Sequence, residues 1–211
     1  MDLASIKQAS FPVLVDTFLN NKMLRDAAAD VIQKRAYKTM VEDNPDGLLP
    51  GLQEDRYLHM MGLMRGFQRA CDRGIIAKNV RRRLVDVFIR NLVMNKEQDR
   101  IGEEMGQDVP MFLLISPTGK CNLRCKGCYA ESEPGCQGSL DIETFDRIVR
   151  EKKELWGSYF TVVSGGEPFM WQDGGYDFLD MVERHSDNLW MVYTNGTLID
   201  EEKAERMAEL G

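Results

Sequence analysis

Three short apolar runs alternate with three amphipathic segments in the second half of the chain, and this order constrains the fold more than any other feature. The runs are MFLLIS, YFTVVS and LWMVYT, at residues 111–116, 159–164 and 189–194. Apolar runs of this length, bounded by turn residues, are typical of buried strands. A helical pattern follows each run before the next begins, and this alternation predicts parallel strands joined by helical crossovers.

The chain before the first of these runs shows the periodicity of helices alone. Apolar side chains recur at helical spacing in three segments, at residues 23–40, 57–71 and 79–93. The segment NPDGLLPG, at residues 44–51, separates the first two. We therefore predict an all-helical N-terminal region over residues 1–107, followed by an α/β core over residues 108–211.

The segment CNLRCKGC, at residues 121–128, gathers three of the five cysteines into one loop after the first predicted strand. Its neighbours are too polar for a core segment, and clustered thiols without a secretory signal favour a metal or cluster over disulfides. A zinc site needs a fourth ligand, which Cys136, His59 or His185 could supply. An iron–sulfur cluster held by only three thiolates keeps one iron open.

Two further motifs follow the other two predicted strands. SGGEP occupies residues 164–168 after the second strand, and TNG occupies residues 194–196 after the third. Each could be an ordinary turn when taken alone. Active sites of parallel α/β folds lie at the carboxyl ends of the strands. The order of the motifs therefore predicts that all three lie at one edge of the sheet.

The cysteine spacing, C-x-x-x-C-x-x-C, resembles the signature of the radical S-adenosylmethionine (radical SAM) superfamily. SGGEP resembles the Gly-Gly-Glu element of that family and TNG resembles a third element, so that the resemblance covers roughly residues 108–211. It implies a partial parallel βα barrel, of which this chain holds the first three βα units. It also implies that a 4Fe–4S cluster is ligated by Cys121, Cys125 and Cys128.

The resemblance further implies a site for S-adenosylmethionine (SAM), whose methionine portion would chelate the open iron. The residues implied in binding that portion are Gly165, Gly166 and Glu167. The two glycines allow close approach of the backbone. The carboxylate of Glu167 can accept a charge-assisted hydrogen bond from the ammonium group of SAM.

Three more positions are candidates for contacts with the cofactors. Thr194 and Asn195 are expected to hydrogen-bond SAM or the substrate, and Tyr129 is expected either to shield the cluster or to pack in the barrel. Gly127 stands where many family members carry an aromatic residue that helps to seat adenine. The contact to adenine is therefore left open.

The activity implied by the resemblance is reductive cleavage of SAM to a 5′-deoxyadenosyl radical that abstracts hydrogen from a substrate. The substrate would be a peptide or a small molecule, in peptide modification or cofactor biosynthesis. A flavodoxin or ferredoxin would donate the electron, while the protein orients and shields the reacting groups. Three βα units are half of the six in the family's barrel, so we expect an enzyme, or a fragment of one, truncated after the third unit.

The alternative is a zinc-binding or iron–sulfur module that serves structure or electron transfer, with Cys136 as fourth ligand. The net charge of −7 argues against nucleic acid as a partner. No apolar stretch approaches about 18 residues, so no membrane span is expected. The first residues lack the pattern of a secretory signal, and a cytoplasmic location is expected.

Overall fold

The computed structural model describes residues 21–45, 47–88 and 96–211, and the statements below concern these residues. They form two compact units, the first ending at Arg82 and the second beginning at Arg83. Helix α3 (Lys78–Phe88) runs across this division. No helix among the described residues is long and apolar enough to cross a membrane.

The first unit is helical, as predicted. Helix α1 (Lys22–Tyr37) begins at Asn21, whose side-chain oxygen accepts a hydrogen bond from the Leu24 N–H group, and it continues as a π-helical segment, Lys38–Asp43. Helix α2 (Pro50–Asp72) has proline at its first position, where no N–H group is left unpaired. The buried hydrophobic side chains of α2 are Tyr57, Met61 and Cys71.

The second unit contains the predicted alternation. Its elements are α4 (Glu97–Met105), β1 (Leu113–Ile115), α5 (Ile142–Trp156), β2 (Phe160–Val163), β3 (Gln172–Asp173), β4 (Tyr176–Asp177), α6 (Phe178–Arg184), β5 (Leu189–Val192) and α7 (Glu201–Leu210). The hairpin of β3 and β4, and the 3-10 turn Pro168–Met170 before it, are additions that the sequence pattern does not predict.

The strands β1, β2 and β5 form one parallel sheet, in that spatial order. Ile115 pairs with Val163, and Val163 pairs with Val192, so the three carboxyl ends lie level at one edge. Each of the helices α5, α6 and α7 begins at an aspartate whose carboxylate accepts a backbone N–H group of the first turn. The predicted fold, α/β with three parallel βα units after a helical region, is confirmed.

The core of the second unit lies between the sheet and its helices. Phe145, Trp171 and Phe178 are at most 1% exposed. The rings of Phe145 and Trp171 meet edge to face, with centroids 5.1 Å apart. The indole N–H group of Trp171 donates to the carbonyl oxygen of Leu140 at 2.8 Å, so the one polar group of this side chain is satisfied. The residues after β2 therefore fix the end of the loop that holds the cysteines.

The predicted division after residue 107 and the observed division after Arg82 differ in position. Helix α4 lies between the two positions, and it contacts α5 of the second unit. Compact units and functional domains need not share boundaries, and the boundary at 107 stays a prediction.

Candidate functional site

Three connections meet at the carboxyl edge of the sheet. We call residues 116–141 the cysteine loop, residues 164–168 the glycine turn and residues 194–197 the TNG turn; they follow β1, β2 and β5 respectively. The N–H group of Gly166 donates to the carbonyl oxygen of Thr118 at 2.9 Å. The N–H group of Glu167 donates to that of Lys120 at 2.8 Å. The backbone of the glycine turn is thus bonded directly to the cysteine loop.

The two glycines are required by this close contact. A β-carbon on Gly166 would lie 2.1 Å from the carbonyl oxygen of Lys120, and one on Gly165 would lie 2.5 Å from the β-carbon of Ser116. Gly165 also has a φ of +98°, which side chains rarely adopt. The space in which these β-carbons would lie is filled by the cysteine loop itself. Binding of SAM by the two glycines stays a prediction.

Glu167 joins the glycine turn to the TNG turn. Its side chain is 1% exposed. One carboxylate oxygen, Oε1, accepts the N–H group of Phe169 at 3.1 Å and the hydroxyl of Thr194 at 2.8 Å. The other oxygen, Oε2, accepts the N–H group of Asn195 at 2.8 Å. The structure therefore brings three of the predicted site residues together, and in it the carboxylate is bonded to groups of the protein.

The side chain of Asn195 reaches back to the cysteine loop. Its Nδ2 atom donates to the side-chain oxygen of Asn122 at 2.9 Å and to the sulfur of Cys121 at 3.8 Å. Its Oδ1 atom accepts both the N–H group and the hydroxyl of Thr197, at 2.9 and 2.7 Å. Asn122 in turn donates to the Thr197 hydroxyl at 2.7 Å. Asn122 and Thr197 were not predicted as site residues; their only signal is that Asn122 lies within the cysteine motif and Thr197 directly follows TNG.

The three cysteines of the motif lie on one accessible loop. Cys125 is exposed, and Cys121 and Cys128 are half-buried. Hydrogen bonds from the backbone N–H groups of Ser132 and Ala130 lower the pKa of the Cys128 thiol. Among the residues that the structure describes, no group of three or more His, Cys, Asp or Glu side chains is arranged to hold a metal ion.

The donor set fits an iron–sulfur cluster in its chemistry. Three thiols within eight residues of one loop can turn toward a common centre, and the loop has no regular secondary structure to prevent it. Thiolate is the form that binds iron, and the environment of Cys128 favours it. The ligand assignment itself stays a prediction.

Tyr129 lies over the glycine turn. Its hydroxyl shares a hydrogen bond with the hydroxyl of Ser164 and accepts the N–H group of Gly165 at 3.3 Å. The residue is nevertheless 77% exposed, so most of the ring surface faces solvent. Its predicted role as a shield of the cluster is not tested by these contacts.

The candidates for a fourth zinc ligand have separate positions. Cys136 is half-buried within the cysteine loop, and its N–H group donates to the carbonyl oxygen of Glu133 at 3.2 Å. His185 precedes β5, at the amino edge of the sheet, where its ring contacts Asp146 and Lys153. Burial, and next to it the charge of Lys153, lower the pKa of His185. His59 is an exposed residue of the first unit.

Comparison with known proteins gives a family match for the second unit. Residues 115–211 match the model of the family described as the Radical SAM superfamily. The chain is similar to the Fe-coproporphyrin III synthase of Methanosarcina barkeri, with 30% identity over 115 residues, which is 51% of this chain and 27% of that protein. It is also similar to the antilisterial bacteriocin subtilosin biosynthesis protein AlbA of Bacillus subtilis, with 28% identity over 126 residues, 54% of this chain and 28% of that protein.

These alignments cover less than a third of each curated relative. Among solved structures, the chain is similar to SuiB of Streptococcus suis bound to the precursor peptide SuiA. The TM-score is 0.41 and the identity 22%, over 51% of this chain and 25% of that one.

Proposed function

We propose that residues 115–211, which match the model of the Radical SAM superfamily, bind a 4Fe–4S cluster and SAM for the reductive cleavage of SAM. The observation that carries the proposal is the bonding of all three motifs to one another at the carboxyl edge of the sheet. Backbone bonds join the cysteine loop to the glycine turn, and the carboxylate of Glu167 joins the glycine turn to the TNG turn.

The proposed ligands of the cluster are Cys121, Cys125 and Cys128. A cluster held by these cysteines would supply the one electron needed for reductive cleavage of SAM to methionine and a 5′-deoxyadenosyl radical, the species that would abstract hydrogen from the substrate. The chain's own residues hold the cysteine loop in place, through its hydrogen bonds to the glycine turn and the TNG turn. No other catalytic side chain is proposed.

The proposed SAM contacts are those of the glycine turn and the TNG turn. The N–H groups of Gly166 and Glu167 donate hydrogen bonds to the cysteine loop. Since the carbonyl and the N–H group of a trans peptide bond point in opposite directions, the carbonyl groups of these two peptide bonds point away from that loop. Carbonyl oxygens can accept hydrogen bonds from the ammonium group of SAM. We propose that the backbone of the turn contacts SAM while the buried carboxylate of Glu167 holds the turn.

The substrate is proposed only as a class. One relative is named for the synthesis of a porphyrin, and another for the biosynthesis of a bacteriocin. A peptide or a small cofactor precursor is therefore the class that we propose for the whole protein.

The electron donor is proposed to be a flavodoxin or a ferredoxin. Residues 120–126, around the first two cysteines, carry three positive side chains and no negative one, those of Lys120, Arg124 and Lys126, although the chain as a whole carries a charge of −7. The Arg124 side chain is 72% exposed and pairs at 3.7 Å with Glu133. A local positive charge favours an acidic partner. We expect Arg124→Glu to slow reduction by flavodoxin.

The proposal is tested by anaerobic reconstitution of the 211-residue chain with iron and sulfide. We expect about four irons per chain, and an EPR signal of the reduced cluster that changes when SAM is added. Alanine at Cys121, Cys125 or Cys128 should abolish this signal. Cys136→Ala is the matched control and should retain it. One tight zinc per chain, released by Cys136→Ala, would instead identify the alternative module.

A further inference from the structure

The backbone N–H group of Asn195 and all the polar groups of its side chain form hydrogen bonds, and one of the side-chain donors points at a cysteine sulfur. The N–H group is accepted by Glu167, and the side-chain oxygen accepts from Thr197. Of the two amide donors, one is accepted by Asn122 and the other by Cys121. Asn195 is exposed, so its side chain is held by these hydrogen bonds rather than by burial.

The orientation of this amide is fixed by chemistry. The backbone N–H group of Thr197 can only donate, so the oxygen of the Asn195 amide must face it. The nitrogen of the amide must then face the cysteine loop, where it lies 3.8 Å from the sulfur of Cys121. A flipped amide would place two oxygens against each other at Asn122 and two donors against each other at Thr197.

The amide is also anchored at several points. Asn122 and Thr197 close a ring of side-chain hydrogen bonds with Asn195, which ties the first cysteine of the motif to the loop after β5. The buried carboxylate of Glu167 fixes the backbone of the same residue. A donor held in this way loses little conformational entropy when its acceptor becomes a thiolate.

We infer that Asn195 is a positioning residue that donates an N–H···S hydrogen bond to Cys121, and that this bond raises the reduction potential of the cluster proposed above. The inference rests on the proposed function. Hydrogen bonds to the sulfurs of an iron–sulfur cluster are one of the factors that set its potential. An N–H dipole directed at sulfur favours the more negative, reduced state.

Two substitutions of Asn195 test the inference by redox titration. Asn195→Ala removes the donor. Asn195→Asp keeps the oxygen that faces Thr197 and the backbone bond to Glu167, but it places an acceptor against the sulfur. It tests the inference even if the alanine variant fails to fold or to assemble the cluster. The midpoint potential of the reconstituted cluster is measured without SAM, through the EPR signal of the reduced state. This measurement does not depend on turnover.

We expect both variants to have a lower potential than wild type, and Asn195→Asp to have the lower of the two. At the wild-type midpoint, Asn195→Ala should show roughly a threefold lower ratio of reduced to oxidised cluster. Asn122→Ala is the comparison variant, because it opens the ring but keeps the N–H···S donor, which Thr197 and Glu167 still hold; its potential should shift less than that of Asn195→Ala.

The other outcomes overturn the inference in distinguishable ways. Wild-type potentials in both Asn195 variants would reject the role of Asn195 and leave the proposed function intact. An equal shift in Asn122→Ala would assign the effect to the loop as a whole, and would also reject it. Failure of the wild-type chain to bind any iron–sulfur cluster would overturn the proposed function together with the inference.

Discussion

The two edges of the three-stranded sheet are each held by one buried ionisable side chain, Glu167 at the carboxyl ends and Lys152 at the amino ends. Glu167 is 1% exposed and Lys152 is 2% exposed. The Lys152 Nζ atom donates at 2.7 Å to the carbonyl oxygen of Ser158, before β2, and at 2.7 Å to the side chain of Asn188, before β5. The same device therefore links neighbouring strands at both edges.

The difference lies in what each side chain is bonded to. Glu167 accepts from residues of the motifs themselves, Thr194 and Asn195, so a change there alters the site directly. Lys152 donates to groups that no motif contains. We infer that the carboxyl edge couples stability to the site, whereas the amino edge contributes to stability alone.

The largest effect on stability and iron binding is expected from Gly166→Ala, which changes a residue at the carboxyl edge. The added β-carbon would lie 2.1 Å from the carbonyl oxygen of Lys120, and a backbone oxygen cannot move without displacing the cysteine loop. We expect a loss of unfolding free energy of about 3 kcal/mol or more, and loss of iron binding. Thermal unfolding and iron content measure the two effects.

Gly138→Ala is the matched control for this substitution. Gly138 lies in the same cysteine loop, but a β-carbon there would have no heavy atom within 4 Å. We expect nearly wild-type stability and iron content. Equal damage from both alanines would show that the loop tolerates no substitution of glycine, and that the contact with Lys120 is not special.

The next largest effect is expected from Glu167→Gln, which preserves shape. The amide nitrogen would face a donor, either Asn195 N–H or the pair of Phe169 N–H and the Thr194 hydroxyl. Loss of a buried acceptor costs about 2 kcal/mol. We expect a fall in iron content as well as in stability. Glu205→Gln, on the exposed face of α7, is the control and should change neither.

A smaller effect on stability is expected from Lys152→Met, which changes a residue at the amino edge. The thioether fills similar space but cannot donate to Ser158 or Asn188, so stability should fall by about 1–2 kcal/mol. Iron content of the folded protein should stay at the wild-type level. A loss of iron equal to that of Glu167→Gln would remove the proposed distinction between the two edges.

The sequence predicts the carboxyl edge much better than the amino edge, for a physical reason. Glycines, a carboxylate and cysteines directly after apolar runs are unusual, and parallel strands bring such positions to one edge. Lys152 lies at helical spacing from the buried Phe145 and Val149, but the next residue, Lys153, is also a lysine and is not buried. Burial of one lysine of such a pair depends on tertiary contacts to Asn188, which periodicity does not contain.

The contacts within the carboxyl edge show the same limit at finer scale. The motifs, their order and their location at one edge of the sheet can be predicted from the sequence. The ring of Asn122, Asn195 and Thr197 depends on rotamers and on loops 73 or more residues apart in sequence. The close contact that requires Gly166 is likewise with the backbone of Lys120, a residue whose side chain gives no signal of it.

The smallest effect is a pH dependence of stability that the amino edge should show. Burial, with Lys153 adding to it and Asp187 opposing it, lowers the pKa of Lys152 to about 7. The unfolded chain, with an ordinary lysine, binds more protons than the folded chain between pH 7 and about 10.5. Stability therefore rises with pH in this window, because the cost of a buried charge is present below pH 7 and is relieved above it.

The neutral amine loses nothing by this change, since its two N–H groups match the two acceptors, Ser158 and Asn188. We expect the unfolding free energy to rise by about 1 kcal/mol between pH 7 and pH 8. Urea unfolding at the two pH values measures the rise, with Lys152→Met as the reference in which it is absent. None of the described hydrogen bonds joins Glu167 to this network, so Glu167→Gln should keep the rise in full. Loss of the rise in that variant would mean that the carboxyl edge changes the surroundings of Lys152, and the comparison between the two edges would fail.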